Sequence, residues 1–508
     1  MAEPPAGRPD HEVVVVGAGF SGLCMGVRLR QAGIGDFAIL DAASGVGGVW
    51  RHNTYPGVAV DVPSVTYSYS FEPNPSWSRA FAPGEEVRRY AEHCADRYRL
   101  RPHLRLNTRV ERAEFDEERN LWRVAVRTAD GPAELTARFL VSAVGPLDQP
   151  KNPDIAGLDS FTGTIIHTAR WDHGHDLRGE RVAVIGTGAS GLQVIPEIAA
   201  VARRLDVYQR TPIWVFPKID FAIPRPVRSL FRVAPPAQRL VRAVTALVTE
   251  AIMVLGIIHY RRLPFLVRAV EAICRAHLRR QVPDPDLRRR LTPRYGFGCK
   301  RPSFSNRYFP TFLRDNVELV TTPIARVTPT GIVTADGRER AIDTLVLATG
   351  FRILEPGAMP AFPVVGLDGV ELGAFWDEHR YQNYEGLSVP QAPNFWLMNG
   401  PYTVTGASWF AIIEAGCAHI VRCLAEARRR NAVRMAVRQE PHDAYTAEVR
   451  RLMCGTILFQ PSCARSNSYY FDRHGDAPYV RPHSGARAWW RARTFDLDDY
   501  AYTTRGNP

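Results

Sequence analysis

The chain contains two glycine-rich loops, and each one follows an apolar strand and precedes a helical pattern. The first strand covers residues 13–16, the helical pattern runs to about Gln31, and a second strand at 37–40 ends in Asp41. The loop glycines are Gly17, Gly19 and Gly22. Glycines at this spacing allow a tight turn and let a pyrophosphate approach the helix N-terminus, while a carboxylate about 20 residues on accepts ribose hydroxyls. The segment therefore predicts a complete βαβ unit that binds a dinucleotide.

The second unit starts with an apolar strand at 181–185, and a further strand at 205–209 follows its helix. Its loop residues are Gly186, Gly188, Ser190 and Gly191. The second strand ends in Arg210 instead of an acidic residue, and Thr211 adds a hydroxyl. An acidic side chain would repel a 2′-phosphate, whereas a guanidinium binds one through two hydrogen bonds. The second unit therefore predicts a site for NADPH rather than NADH.

Two such units predict an α/β fold with two Rossmann-like dinucleotide-binding domains. The first unit occupies the usual place for an FAD site, and residues 220–293, rich in Leu, Val, Ala and Arg at helical spacing, predict a helical insertion. An apolar strand within 343–350 resembles the strand with which such flavoproteins return to the FAD domain. We expect residues 1–150 and 341–508 to form the FAD domain, residues 151–219 and 294–340 to form the NADP domain, and residues 220–293 to form a helical subdomain.

The net charge of +12 does not indicate a nucleic-acid partner, because the arginines are spread over the whole chain. The most apolar stretch, about 247–258, is interrupted by Glu250 and is shorter than the roughly 20 residues that span a bilayer. Its composition favours plain helical packing over contact with a membrane surface, which stays an alternative.

Eight cysteines are scattered along the chain without a C-x-x-C pair. This pattern indicates neither a disulfide framework nor a zinc site, so we expect reduced cysteines and no metal. The first ten residues lack the apolar segment of a signal peptide, and a cytoplasmic location is the expectation.

Two further strings lie beside the dinucleotide units. Residues 161–172 read FTGTIIHTARWD, with Phe161, Gly163, His167 and Trp171 in the pattern F-x-G-x-x-x-H-x-x-x-W. Residues 47–61 read GGVWRHNTYPGVAVD, with Gly48, Trp50, Tyr55 and Asp61, and contain no redox cysteine pair. Together these strings resemble those of type I Baeyer–Villiger monooxygenases, whereas N- and S-oxidising flavin monooxygenases carry Tyr or Phe where Trp171 stands.

The resemblance implies an enzyme that uses FAD, NADPH and O2 to convert a ketone into an ester or lactone through a flavin C4a-peroxide. Arg301 matches the family's catalytic arginine, and Asp61 matches the carboxylate that holds it. Lys300 matches a basic residue that reaches the 2′-phosphate. Gly48, Trp50 and Tyr55 fall in the segment that lines the flavin. The string at 161–172 is implied to be a linker that positions the NADP domain and holds no substrate.

Two alternatives stay open at this stage. One is an S- or N-oxygenating flavin monooxygenase, and the other is a flavin-binding protein without turnover. Tyr469 and Tyr470 stand where the family often carries a tryptophan near the active site, which leaves the shape of the pocket open. The expected partners are O2 and a small ketone or thioether, in a monomer or homodimer.

Overall fold

The computed structural model describes residues 8–404 and 408–504. Its strands are β1 (His11–Val16), β2 (Phe37–Leu40), β3 (Leu104–Arg105), β4 (Arg109–Asp116), β5 (Leu121–Thr128), β6 (Gly131–Ser142), β7 (Thr164–His167), β8 (Arg181–Ile185), β9 (Arg204–Tyr208), β10 (Val215–Phe216), β11 (Ser303–Phe304), β12 (Val317–Val320), β13 (Ile324–Thr328), β14 (Gly331–Thr334), β15 (Glu339–Ala341), β16 (Thr344–Leu347), β17 (Val364–Val365), β18 (Phe395–Leu397), β19 (Ala432–Val437) and β20 (Tyr500–Thr504).

The helices are α1 (Phe20–Gln31), α2 (Val49–His52), α3 (Gly84–Arg97), α4 (Ala189–Ile198), α5 (Arg225–Val233), α6 (Pro235–Glu250), α7 (Pro264–Gln281), α8 (Pro285–Leu291), α9 (Tyr308–Thr311), α10 (Leu372–His379), α11 (Trp409–Arg429), α12 (Gln439–Met453) and α13 (Gly485–Thr494). A π-helical segment, Ala251–Ile258, continues α6. The two βαβ units therefore form where the glycine patterns predict them.

Each unit belongs to its own sheet: the larger sheet is mixed and the second sheet is parallel. The larger sheet has the strand order β17-β4-β5-β6-β1-β2-β3, and β18 also pairs with β6. In β1, Val13 and Val15 pack into one apolar cluster while Val14 and Val16 pack into another. Alternate side chains of a strand point to opposite faces, so a continuous apolar strand is buried on both sides. The α/β class expected from the sequence is confirmed.

The second sheet has the order β12-β9-β8-β16-β7 and consists of parallel pairs. Strand β16 pairs with β8 and β7, so the expectation that residues 341–350 return to the FAD domain is wrong. The boundary lies later, because the chain rejoins the first sheet at β17 and β18. An apolar strand that ends in Ala-Thr-Gly can close either sheet, and its pairing depends on contacts far away in sequence.

The length and exposure of the helix that contains the apolar stretch at 247–258 differ from the prediction made from the sequence. It belongs to a helix of 24 residues, Pro235–Ile258, which is long and apolar enough by length and composition to cross a bilayer, and only a small share of its most apolar part is buried. The outward face of this helix is therefore exposed among the described residues and does not pack against another element. Glu250 interrupts the apolar composition but lies where the α-helix continues as the π-helical segment, and its carboxylate accepts a hydrogen bond from the backbone N–H of Gly485 at 2.5 Å.

Candidate active site between two glycine loops

One large cavity, of about 2240 Å³, lies between the two βαβ units. Sequence-predicted residues that line it are Gly17, Gly19, Asp41, Gly48, Trp50, Tyr55, Asp61, Gly186, Gly188, Ser190, Arg210, Thr211, Lys300 and Arg301. Pockets for a single small molecule measure roughly 300–1,000 Å³. The cavity therefore has room for more than one dinucleotide-sized or substrate-sized molecule.

The first loop can accept only glycine at its turn. Gly17 has φ +108°, and a Cβ atom there would lie 2.9 Å from the carbonyl oxygen of Ala143. A Cβ at Gly22 would lie 1.8 Å from the carbonyl oxygen of Gly17, so α1 packs directly against the turn. Asp41 accepts hydrogen bonds from the N–H groups of Ala18 at 2.6 Å and Ala43 at 2.7 Å. These bonds hold the Asp41 carboxylate at the cavity wall, where burial raises its pKa.

The second loop repeats this geometry. Gly186 also has φ +108°, and its Cβ would lie 2.4 Å from the carbonyl oxygen of Ala348, at the end of β16. A Cβ at Gly191 would lie 2.3 Å from the carbonyl oxygen of Gly186. Each loop thus forms a cradle that side chains would fill, at the start of a helix whose N–H groups suit a phosphate.

Two cations lie beside the second loop without a described carboxylate within salt-bridge distance: Lys300 and Arg210. Burial, together with the positive charge of Arg210, lowers the pKa of Lys300 to about 8. Arg210 is exposed and Lys300 is partly buried, and the two like charges repel each other until an anion joins them. A phosphate group is the ligand that this arrangement suits. Thr211 lies next to the pair and accepts a hydrogen bond at 2.9 Å from Asn467, a residue that no sequence motif marked.

Arg301 donates a hydrogen bond from Nη2 to Oδ2 of Asp61. The negative charge of Asp61 raises the pKa of Arg301 further, so the guanidinium stays charged. Arg301 lies deep in the molecule, and the 39% of its side-chain surface that remains accessible lines the cavity. Its remaining N–H donors are therefore available to a bound molecule.

Three tyrosines surround the Arg301 guanidinium: Tyr469, Tyr470 and Tyr479. The rings of Tyr470 and Tyr479 stack with centroids 5.2 Å apart, and Tyr469 meets Tyr470 edge-on at 4.9 Å. Burial raises the pKa of Tyr469, and the charge of Arg301 opposes this effect. All three residues line the cavity. The pair Tyr469-Tyr470 was visible in the sequence, but Tyr479 had no local signal.

The segment at 47–61 connects the two units. Trp50 donates from Nε1 to the hydroxyl of Tyr67 at 3.0 Å. Tyr55 donates to Oε1 of Gln193 at 2.8 Å, and Gln193 donates back to the carbonyl oxygen of Ala59 at 3.0 Å. Burial raises the pKa of Tyr55 to about 12, so it remains a neutral donor. Gln193 lies on α4 of the second unit, so these bonds attach the Asp61 segment to the second glycine loop. Tyr67 and Gln193 had no motif to mark them.

Of the string at 161–172, Arg170 lines the cavity, whereas Phe161, Gly163, His167 and Trp171 do not. Residues Thr164–His167 form β7, an edge strand of the second sheet, so the string is not a free linker. Phe161 is buried in the core, and a Cβ at Gly163 would lie 2.2 Å from the carbonyl oxygen of Asp343. Trp171 packs against the α4 side of the same sheet. The string therefore anchors the start of the second domain.

His167 takes part in a small hydrogen-bond network at the end of β7. Its Nδ1 accepts from the N–H of Ala169 at 3.0 Å, which leaves Nε2 to donate to Oγ1 of Thr349 at 3.3 Å. The Thr349 hydroxyl donates in turn to the carbonyl oxygen of Lys151 at 2.5 Å. Burial lowers the pKa of His167, which favours its neutral form. The network joins β7 to the Ala-Thr-Gly turn beside Gly186.

The cysteine prediction is wrong for one pair. Cys299 and Cys463 form a disulfide with Cα atoms 5.1 Å apart and are 164 positions apart in sequence. The bond ties the segment directly before Lys300 to the C-terminal part of the chain that also contains Tyr469. Sequence spacing could not reveal it, because the two cysteines meet only after the chain folds. The other six cysteines are free, and all but Cys454 are buried.

Comparisons with known proteins agree with this architecture. A family model described as pyridine nucleotide-disulphide oxidoreductase matches residues 14–224. A Baeyer–Villiger monooxygenase of Streptomyces coelicolor is 39% identical over 506 residues, which cover 98% of this chain and 94% of that protein.

Solved structures are similar over the same length. An oxidized steroid monooxygenase bound to NADP superposes with a TM-score of 0.85 at 32% identity, covering 97% of this chain and 99% of that one. OTEMO in complex with FAD and NADP superposes with a TM-score of 0.86 at 28% identity, covering 98% of this chain and 100% of that one. Both glycine loops and the segments between them fall within these matches.

Proposed function

The chain belongs to the Baeyer–Villiger monooxygenase family, and we propose that Arg301, held by Asp61, stabilises the negative charge that develops during its reaction. The protein is an NADPH-dependent, FAD-containing monooxygenase that inserts one oxygen atom of O2 beside a ketone carbonyl to form an ester or lactone. The observation that carries the proposal is the Arg301–Asp61 ion pair in the wall of the cavity between the glycine loops.

The residues of the cavity fit both cofactors. The cradle at Gly17 and Gly22, with Asp41 beside it, suits FAD, and the cradle at Gly186 and Gly191 suits NADPH. Arg210 and Lys300 supply the positive charge for the 2′-phosphate. When bound, NADPH supplies a hydride and reduced FAD activates O2. Residues 1–150 and the chain from β17 onwards would then form the FAD domain.

Arg301 is suited to an oxyanion because its charge is permanent and its free donors line the cavity. Donors that are already oriented lower the barrier most, since they need not reorganise as charge develops. Asp61 fixes one edge of the guanidinium, and the three tyrosines lie near it in the cavity wall. Asp61 is therefore a positioning residue, and Arg301 is the residue that contacts the developing charge.

The substrate is proposed to be an apolar ketone. Away from the glycine loops, the cavity wall is formed by aliphatic and aromatic side chains, among them Phe81, Phe231, Val241 and Ile252. Such a wall gains free energy by removing hydrocarbon from water, at about 25 cal/mol per Å². A large hydrocarbon ketone is favoured over a small, water-soluble one for this reason.

The test is product formation by FAD-loaded Arg301→Ala with NADPH and a series of ketones of increasing hydrocarbon size. We expect ester formation to fall by about 10²- to 10³-fold, the usual loss for one oxyanion donor. NADPH oxidation should continue and release hydrogen peroxide. Arg127→Ala is the matched control, because Arg127 forms an exposed ion pair with Glu111. Unchanged ester formation by Arg301→Ala would remove Arg301 from the mechanism.

A further inference from the structure

Helix α6 has most of its polar side chains towards the protein and most of its apolar side chains towards solvent, and Arg239 is exposed with the apolar side chains. On its inner side, Gln238 donates to the carbonyl oxygen of Asn74 at 2.7 Å, and Arg242 donates to Oγ of Ser68 at 3.0 Å. On its outer side, Leu240 is 66% exposed and Leu247 is 69% exposed. A surface helix of a water-exposed protein shows the reverse arrangement.

The two hydroxyl side chains of α6 are satisfied within the helix itself. Thr245 donates from its hydroxyl to the carbonyl oxygen of Val241 at 2.8 Å, and Thr249 donates to the carbonyl oxygen of Thr245 at 2.9 Å. Internal bonds of this kind leave no hydroxyl that requires water. The outer face can therefore enter an apolar environment without losing a hydrogen bond.

The apolar surface extends beyond α6. Of the 19 large hydrophobic side chains that are exposed among the described residues, 12 lie between Ile219 and Phe265. They come from the loop before α5, from α5 and α6, from the π-helical segment and from the start of α7. Scattered exposed hydrophobic residues are ordinary, but a concentration of this kind marks a surface that contacts something apolar.

The charge of this surface identifies the partner. Residues 219–268 contain eight arginines and only two acidic residues, Asp220 and Glu250. Asp220 pairs with Arg79, and Glu250 accepts the Gly485 N–H. None of the eight arginines forms a salt bridge within the described part of the chain. Those at 225, 228, 232 and 239 precede the apolar stretch, and those at 261, 262 and 268 follow it. Each basic residue near an anionic bilayer adds to the attraction.

We propose that this surface, residues 219–268, docks the protein onto an anionic lipid bilayer, with α6 lying in the interface. A spanning arrangement would break the contacts of Gln238 and Arg242 and expose Val254 and Ile258, which are buried. A second copy of the chain would place the same unpaired arginines opposite each other in a two-fold interface. An anionic bilayer instead supplies hydrocarbon for the outer face and phosphate for the arginines.

Docking would also bring the cavity to the membrane. Val241, Thr245 and Ile252 line the cavity from the edge of the same helix, and Phe231 lines it from α5. An apolar substrate dissolved in lipid would then reach Arg301 without crossing water. This consequence rests on the proposed function, whereas docking itself does not.

The experiment is flotation of the full-length, FAD-loaded protein with vesicles, without NADPH or ketone. One set contains phosphatidylcholine alone, and the other contains about a quarter phosphatidylglycerol. We expect binding to the anionic vesicles that weakens as salt is raised, since screening reduces the arginine contribution. Leu247→Glu should weaken binding by about tenfold or more, because one buried leucine contributes about 1.5–3 kcal/mol. Leu313→Glu is the matched control, because Leu313 is exposed elsewhere on the surface.

Retention of binding by Leu247→Glu, or equal loss in Leu313→Glu, would overturn the proposal. The proposal would also be overturned if the wild-type protein did not bind the vesicles, or if it were a dimer that Leu247→Glu converts to a monomer. Flavin content and thermal unfolding of each variant establish that it is folded. Failure of vesicle binding would leave the oxygenase function standing, because no turnover is measured.

Discussion

Arg301 and Asp61 are 240 residues apart in sequence, yet they form a hydrogen-bonded ion pair inside the cavity. Asp61 is held by the segment that bonds through Tyr55 to Gln193, and Arg301 follows the Lys300 that faces the second glycine loop. The pair therefore joins the two dinucleotide units at the point where both cofactors would meet. Its geometry depends on both units being in place.

Asp61→Asn should reduce ester formation while leaving reduction by NADPH intact. The variant loses a charge-assisted hydrogen bond worth about 1.5–3 kcal/mol, so kcat for the ester should fall roughly 10- to 150-fold. The measurement compares ester formed with NADPH consumed, and a positioning role predicts a fall in that ratio at unchanged KM for NADPH. A parallel loss of both activities would indicate a general structural defect instead.

Arg210→Ala and Lys300→Ala should each weaken the binding of NADPH far more than the binding of NADH. Each variant removes one charged contact to the 2′-phosphate, worth about 1.5–3 kcal/mol. Titration of the FAD-loaded protein with both nucleotides gives the two dissociation constants. If the binding of both nucleotides weakens equally, the assignment of these residues to the 2′-phosphate is wrong.

NADPH affinity should fall as pH rises above about 8. Burial and the charge of Arg210 lower the pKa of Lys300 to about 8. In the protein without nucleotide, the Lys300 ammonium group is therefore charged below that pH and neutral above it. Above this pH, phosphate binding must take up a proton, and Kd should rise by up to about tenfold per pH unit. Lys300→Arg, which stays charged, should flatten the dependence, and NADH should show none. A constant NADPH Kd across this range would contradict the assignment.

Thiol titration in denaturant should detect six cysteines before reduction and eight after it, because Cys299 and Cys463 are joined. In the native protein, the exposed Cys454 should react first. Cys299→Ser should lower stability by roughly 3–5 kcal/mol, since the bond closes a long loop. Eight thiols in the unreduced, denatured protein would show that the bond is absent.

Gly163→Ala should destabilise the second sheet. A methyl group there would lie 2.2 Å from the carbonyl oxygen of Asp343, so β7 must shift away from β16. Overpacking of this kind costs about 1–3 kcal/mol. Gly35→Ala is the matched control, because no atom lies within 4 Å of its added Cβ. Equal melting temperatures for the two variants would argue against a structural role for the 161–172 string.

Local patterns were sufficient for the two βαβ units. Strands 37–40 and 181–185 match their predicted bounds, and the turn glycines lie where only glycine fits. Arg301 and Asp61 were identified through the family resemblance, and the structure brings them together. The glycine loops could be predicted because such a loop carries its conformational requirement in adjacent residues, whereas the role of Arg301 and Asp61 stays a prediction.

Other features were missed because they depend on distant parts of the chain. The sheet to which β16 belongs, the Cys299–Cys463 bond and the place of Tyr479 beside Arg301 all follow from contacts across more than a hundred residues. The sequence also could not predict which face of α6 is exposed, because an apolar face has the same composition whether it is packed or exposed.

By itself, the sequence determined the fold class, the two dinucleotide loops, the preference for NADPH and the family. Tertiary structure alone decided how the cavity closes around Arg301, which strand ends each sheet and which face of α6 meets solvent. The physical reason is the range of the interactions: turns and strand burial are set by neighbouring residues, whereas ion pairs, disulfides and exposed surfaces exist only after distant segments pack together.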